Sequence, residues 1–287
     1  MKRFLLGLLV LGSATSLIGC GVDYDQTGEV FEYETVEGND TLVVGLECDY
    51  APFNWAQTYS TEYTLPISGS NMFADGYDVQ ISRYLGTELG MNIEIKMTPW
   101  DNLILELENG TIDVIIAGMS PTEERKEFVD FTDAYYTSEF VVVTHENNKY
   151  ANATSFSELN GAKGIGQAET LYDDLVANLA NDVYGDFNIT RATPADTVPL
   201  IALGLVSTYD FTIIELPVAQ ALLSSNDSLV ILDIAGDNPF NVSLEDRTVS
   251  IATAIDSDLT ERINTALAKL STDRRNDAMT AAVARSA

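Results

Sequence analysis

The sequence predicts an α/β protein built around mostly parallel sheet, and three observations point there. Short β-branched runs alternate with helical stretches whose apolar residues recur every fourth position. One strand candidate, Asp113-Val-Ile-Ile-Ala117, is apolar residue after residue, as a strand covered on both faces requires. The alternation then starts afresh after a second strand candidate at Ser138–Thr144, so the pattern is present twice.

Leu42–Leu46 is the first strand. Asp78–Leu89 is a helix that sets Ile81, Leu85 and Leu89 on one face. Ile93–Met97 is a strand, and Trp100–Glu108 a helix with Leu103 and Leu107 on one side, ended by Asn109-Gly110. In the second half, Gly164–Gly166 is a short strand and Leu171–Ala180 a helix; Phe187–Arg191 is a strand. A helical stretch runs from Pro194 with Pro199 disturbing it. Phe211–Ile214 is a strand, and Pro217 suits the start of a helix. Val249–Ala254 is the last strand, before a helix at Leu259–Leu270 that turns Ile263, Ala266, Leu267 and Leu270 inward. The Ala-rich tail from Arg274 is helical. Residues 57–74, polar and punctuated by Pro66, Gly69 and Asn71, read as a hairpin or strand-loop excursion.

Composition narrows the function. The 287 residues carry 44 Asp+Glu against 15 Lys+Arg, a formal charge of -29, which repels nucleic acid and anionic membrane surfaces. An apolar share of 46% supplies proper cores, so the charge does not mean disorder. Of the two cysteines, Cys20 has a separate role described below, and Cys48 reads as a small buried apolar residue. That leaves no disulfide framework and no CxxC site. With His145 as the only histidine, neither a histidine-rich metal site nor a Ser-His-Asp triad is indicated. The sequence implies no cofactor, and no P-loop GxxxxGK[ST] occurs.

At the N-terminus, Lys2 and Arg3 precede the apolar stretch Phe4–Leu11, and Leu17-Ile18-Gly19-Cys20 resembles the bacterial lipobox. Residues 1–19 are then a signal peptide, and Cys20 takes a diacylglycerol that holds the chain to the outer face of the cell membrane. Residues 21–39 hold six acidic residues and no basic one, so residues 20–40 read as a solvated tether.

Two loop clusters carry candidate chemistry. After the buried strand come Gly118, Ser120 and Arg125: exposed backbone, a hydroxyl and a two-pronged cation that match a carboxylate. They lie where an open sheet binds ligands, at the carboxyl ends of its strands. Thr122 is placed to cap a following helix. Surface pairing of Arg125 with Glu124 or Asp130 is the competing reading. In the second cluster, Tyr50-Ala-Pro-Phe53-Asn-Trp55, the aromatics are either core plugs or walls of a cleft. Tyr77 and Trp100 pose the same choice.

Taken in order, several segments resemble the family 3 extracellular solute-binding proteins, the polar amino-acid receptors of ATP-driven importers, especially their Gram-positive lipoprotein members. The matching segments are Val43–Trp55, Gly76–Ile81, Trp100–Ile104, Gly110–Lys126, Phe128–Tyr136, Thr170–Leu175 and Tyr209–Ala219. The resemblance implies a two-lobed, type II periplasmic-binding-protein fold that closes on its ligand. The first lobe would be residues 41–141 plus 251–287 and the second 145–248, with hinges at about 141–145 and 248–251, around Val142 and Ile251. It implies that Arg125, Ser120, Gly118, Ala117 and Thr170 hold the carboxylate of a free amino acid and Glu215 its ammonium. Tyr50, Tyr77, Glu47, Phe53 and Trp100 would line the side-chain pocket, although core packing competes for Trp100. The partners it implies are the ligand and the membrane subunits of an ABC permease. Cationic amino acids lead as ligands, followed by polar neutral ones such as glutamine, then cystine. A sensory lipoprotein or a dehydratase-like enzyme of the same fold is the alternative. The chain departs from the family in one place: where glycine then threonine is usual, it has Ala168-Glu169-Thr170. Either Glu169 points outward or the ligand is not an ordinary amino acid.

Overall fold

A computed structural model describes residues 30–195, 197–236 and 238–286. Cys20 and the lipobox lie outside the described residues. The first elements are β1 (Thr41–Leu46), β2 (Asp49–Tyr50), β3 (Asn54–Gln57), β4 (Leu65–Pro66), β5 (Phe73–Asp75), α1 (Tyr77–Leu89), β6 (Asn92–Met97), α2 (Leu103–Glu108), β7 (Val114–Ile115) and β8 (Asp130–Thr137). The second half supplies β9 (Phe140–His145), β10 (Lys163–Ile165), α3 (Leu171–Ala180), β11 (Thr190–Arg191), α4 (Val198–Leu205), β12 (Phe211–Glu215), α5 (Leu216–Ser225) and β13 (Leu229–Leu232). The chain ends with β14 (Thr248–Thr253), α6 (Asp258–Leu267) and α7 (Thr272–Arg285).

Two five-stranded sheets organise these elements. The first runs β6-β1-β7-β14-β8, with β1 parallel to β6 and β7, and β14 antiparallel to β7 and β8. The second runs β11-β10-β12-β9-β13, with β10 parallel to its neighbours and β9 antiparallel to β12 and β13. The strand expected at 113–117 pairs over only two residues, yet Val114 to Ala117 are all at most 1% exposed, so the burial that the apolar run predicted is present. Residues 57–74 belong to a small antiparallel sheet, β2-β3-β5-β4, which leans on the first sheet where Ser68 N–H donates to Ile95 O (2.8 Å).

The chain leaves the first sheet for the second at Ser138–Glu139 and returns through 233–247. These passages run side by side, Ser138 N–H donating to Arg247 O at 2.8 Å. The first lobe is therefore discontinuous, closed by a last segment that re-enters its sheet as β14. Val142 and Ile251, around which the hinges were expected, lie inside the sheets, paired with Ile213 and Leu232 in one case and flanked by residues paired with β8 in the other.

Three local features depart from the sequence reading. Pro199 sits in the first turn of α4 and starts that helix, because its missing N–H is unpaired there anyway. Thr122 precedes only a single turn, Arg125–Glu127. Residues 31–39, expected as tether, dock on the first lobe: Phe31 is 2% exposed against Tyr84, and Ile93 N–H donates to the Tyr33 hydroxyl (2.6 Å). Two aromatics among the acids gave this segment apolar surface to bury.

Candidate functional site

The carboxyl ends of β1, β7, β10 and β12 converge on the cleft between the lobes. A narrow cavity lies there, lined from the first lobe by Glu47, Tyr50, Trp100, Gly118, Ser120 and Arg125. The second lobe adds Gln167, Thr170, Leu171 and Tyr172.

On the first-lobe side, Arg125 Nη1 donates to Ser120 O (2.8 Å), and its guanidinium lies over the Trp100 ring, 5.1 Å from the centroid. Nη2 reaches across to Glu169 O (3.4 Å), which also accepts from Trp100 Nε1 (3.2 Å). Among the described residues no carboxylate pairs with this guanidinium, and desolvation holds its pKa below the ordinary arginine range. The surface pairing with Glu124 or Asp130 is thus not made.

In the second lobe, Glu215 ends β12 and takes the N-cap position of α5 without a side-chain cap bond; at 1% exposure it is absent from the cavity lining and sits behind Tyr50 and Tyr172. Its Oε2 accepts from the Tyr50 hydroxyl (2.7 Å), which lies 3.0 Å from the Tyr172 hydroxyl. Burial pushes the Glu215 carboxyl up to about 8, against the pull of the two phenols. No cation pairs with it among the described residues. Glu47 forms a second cross-cleft contact, accepting from Gln167 Nε2 at 3.3 Å. Burial raises it to about 7, with Asp49 and Asp101 adding to the rise and Gln167 opposing it.

Helix α3 opens on the cavity at Thr170, whose hydroxyl donates to Gln167 O (2.8 Å) and does not cap the helix. The positive end of the helix dipole therefore faces the cleft uncapped by its own side chain. Glu169, just before it, has φ 57°, the left-handed backbone that glycine adopts without penalty. The loop keeps the glycine-type conformation with a glutamate in it, and the Glu169 side chain is exposed. It points outward, the first of the two alternatives.

Not every expected pocket residue reaches the cavity. Phe53 and Tyr77 are both 0% exposed and form the layer behind Tyr50. Phe53 stacks on Tyr50 (5.3 Å), while Tyr77 stacks on Tyr135 (5.8 Å) and donates its hydroxyl to Tyr135 O (2.9 Å). Tyr77 is drawn inward because it starts α1, whose first turn is tied to the Tyr50 loop by Tyr77 N–H to Pro52 O (2.9 Å). Ala117 is 1% exposed and absent from the lining. Gly118 does line the cavity, with φ 62°, and a Cβ there would meet the Tyr50 ring at 3.0 Å. Its N–H, however, donates to the Tyr135 hydroxyl (3.0 Å), away from the cleft. Trp100 is wall, not core. Gln167, Leu171 and Tyr172 escaped the sequence reading; the only signal was Tyr172's position two residues after Thr170.

Two lobes joined by two adjacent passages, with a cavity between them that presents an unpaired guanidinium and, behind its tyrosine wall, an unpaired carboxyl, define a cleft-type receptor for a small solute. A profile of the bacterial extracellular solute-binding proteins, family 3, matches residues 42–282, and the chain belongs to that family. The resemblance seen in the sequence is borne out, and with it an extracellular solute-binding role. The arginine-binding extracellular protein ArtP of Bacillus subtilis is 29% identical over 271 residues, 94% of this chain and 93% of its own. The L-cystine-binding protein TcyA of the same organism is 27% identical over 199 residues, 67% and 68% of the two chains. In fold, the chain matches the L-arginine-bound substrate-binding protein AbpA of Streptococcus pneumoniae with a TM-score of 0.69 and 24% identity, covering 86% of this chain and 95% of that one. Among the described residues no helix is long and apolar enough to cross a membrane.

Proposed function

We propose that this protein is the receptor of an ABC importer and captures a free amino acid between its lobes, with a cationic amino acid as its first ligand. One observation carries the reading: Arg125 lines a small cavity in the cleft, Glu215 lies buried from the opposite lobe behind the Tyr50 and Tyr172 wall of that cavity, and neither has a partner of opposite charge among the described residues. A zwitterion supplies both. Its carboxylate meets Arg125 and the start of α3; its ammonium meets Glu215, displacing or joining the Tyr50 hydroxyl. The side chain then runs past Trp100 toward Glu47 and Gln167, where a distal cation finds a carboxylate. The arginine-binding relatives agree with that direction. Because the ligand bridges the lobes, closure gains contacts that the open form lacks, and closure is what a permease can read.

The further parts of the proposal follow from the same role. Cys20 carries the lipid anchor, the first lobe takes residues before Ser138 and after Arg247, and the Ser138–Glu139 and Arg247–Thr248 passages serve as hinges. The protein binds and delivers without catalysing a reaction. A thermal-shift screen of the purified protein, stripped of co-purified ligand, against the natural amino acids, cystine and ornithine tests this. A rise with arginine, lysine or ornithine above all others is the expected result. A flat screen overturns it.

A further inference from the structure

Behind the cavity wall, five groups form one hydrogen-bonded line. Cys48 N–H donates to Asn54 Oδ1 (2.7 Å), and Asn54 Nδ2 donates to Asp78 Oδ2 (2.7 Å). The Tyr135 hydroxyl donates to Asp78 Oδ1 (2.6 Å), which leaves its oxygen to accept from Gly118 N–H (3.0 Å). Asp78, Asn54 and Tyr135 are each 0% exposed. The line starts beside Glu47 and Tyr50 and ends in the Gly118–Ser120 turn, so it joins the two first-lobe loops that wall the cavity. Its polarity is fixed: both ends are backbone donors, so the middle group must accept on both sides. A carboxylate meets that demand, and an amide of the same shape does not.

We propose that Asp78 is a positioning residue, the double acceptor that holds the Glu47–Tyr50 loop and the Gly118–Ser120 turn in the spacing the ligand requires. This rests on the cavity being the amino-acid site. Asp78 itself touches no ligand.

The polarity argument yields its own test. In Asp78→Asn, one amide N–H₂ must face either Asn54 Nδ2, donor against donor, or the Tyr135 hydroxyl, whose own hydrogen then loses its acceptor in the line. Moving the charge one step along the line, in the double variant Asn54→Asp with Asp78→Asn, restores every bond. The carboxylate now at position 54 accepts from Cys48 N–H and from the amide now at position 78, whose oxygen accepts from the Tyr135 hydroxyl. With L-arginine as the titrated probe, Asp78→Asn should bind at least about tenfold more weakly than the parent, and the double variant should return to within about threefold. Amide exchange of Cys48 and Gly118 in the unliganded proteins reads the line without any ligand. Both amides should exchange about tenfold faster or more in Asp78→Asn and regain protection in the double variant. Tyr135→Phe, which keeps the ring, should free Gly118 alone.

Parent-like affinity or protection in Asp78→Asn overturns the proposal, as does a double variant that fails to fold or stays weak. A parent that binds no amino acid refutes the functional reading instead, and the exchange measurement still decides whether the line exists.

Discussion

Replacing Arg125 with alanine should separate binding from stability. In the structure the side chain makes one good hydrogen bond, to Ser120 O at 2.8 Å, a long one to Glu169 O at 3.4 Å, and a stack on Trp100. Those contacts are worth about 1 kcal/mol for the bond and about 0.5–1 for the stack. Against them stands the cost of desolvating an unpaired guanidinium, which its lowered pKa reports. That cost works against the contacts, so the unliganded midpoint should fall by no more than about 8 °C. Binding has no such offset. The ligand carboxylate loses two charge-assisted hydrogen bonds of about 1.5–3 kcal/mol each, so the loss is about 3–6 kcal/mol. That is a fall in affinity of about 150-fold to about 20,000-fold. Calorimetric titration with L-arginine, beside thermal unfolding of both unliganded proteins, reads the two effects separately. Arg125→Lys keeps the charge without the planar fork and should fall between. An affinity within about threefold of the parent in Arg125→Ala would remove this residue from the site.

Further outcomes follow from the other groups. Glu215, pushed up to about 8, must ionise to hold an ammonium, so affinity should tighten as pH rises from about 6 to about 8.5, and Glu215→Gln should both weaken binding and flatten that profile. Its folded pKa, like that of Glu47 and Asp78 at about 7, lies above the usual carboxylate value, so the folded state keeps protons that the unfolded chain releases. The unliganded midpoint should therefore fall as pH rises from about 5 to about 8, most gently in Glu215→Gln. Glu47→Gln should cost arginine about tenfold relative to glutamine in a competition assay, because the carboxylate facing the distal cation is lost. Glu169→Gly should leave affinity within about threefold and the midpoint unchanged or raised, since φ 57° suits glycine and the side chain is exposed; Glu169→Pro, whose ring needs a negative φ, should lower both.

The α/β alternation was legible because burial of β7 on both faces writes itself into an apolar run, and because the apolar Ile81, Leu85 and Leu89 of α1 recur every fourth residue even though its first ten residues are buried all round. Strands β8 and β13 lacked that signature: β8 mixes polar and aromatic residues without strict alternation, and β13 is an apolar run of four residues, too short to show a period. The place of Arg125 beside the cavity was legible because a guanidinium, a hydroxyl and a flexible turn fall together at a strand end. Depth was not. Tyr50, Phe53 and Tyr77 look alike in sequence, and only packing decides that the first faces the cleft while the others stand behind it. Glu169 could be seen as an anomaly, but its left-handed backbone could not, because few non-glycine residues adopt it. Tyr172 lay hidden in a helical pattern, where an aromatic in the first turn reads as packing.

The most direct measurement is a crystal structure of the protein with the amino acid that raises its midpoint most. The account predicts the ligand carboxylate on Arg125 beside the first turn of α3 and the ammonium on Glu215, with the side chain running past Trp100 toward Glu47. A ligand bound elsewhere, or one lying in this cavity with its carboxylate away from Arg125, would contradict it.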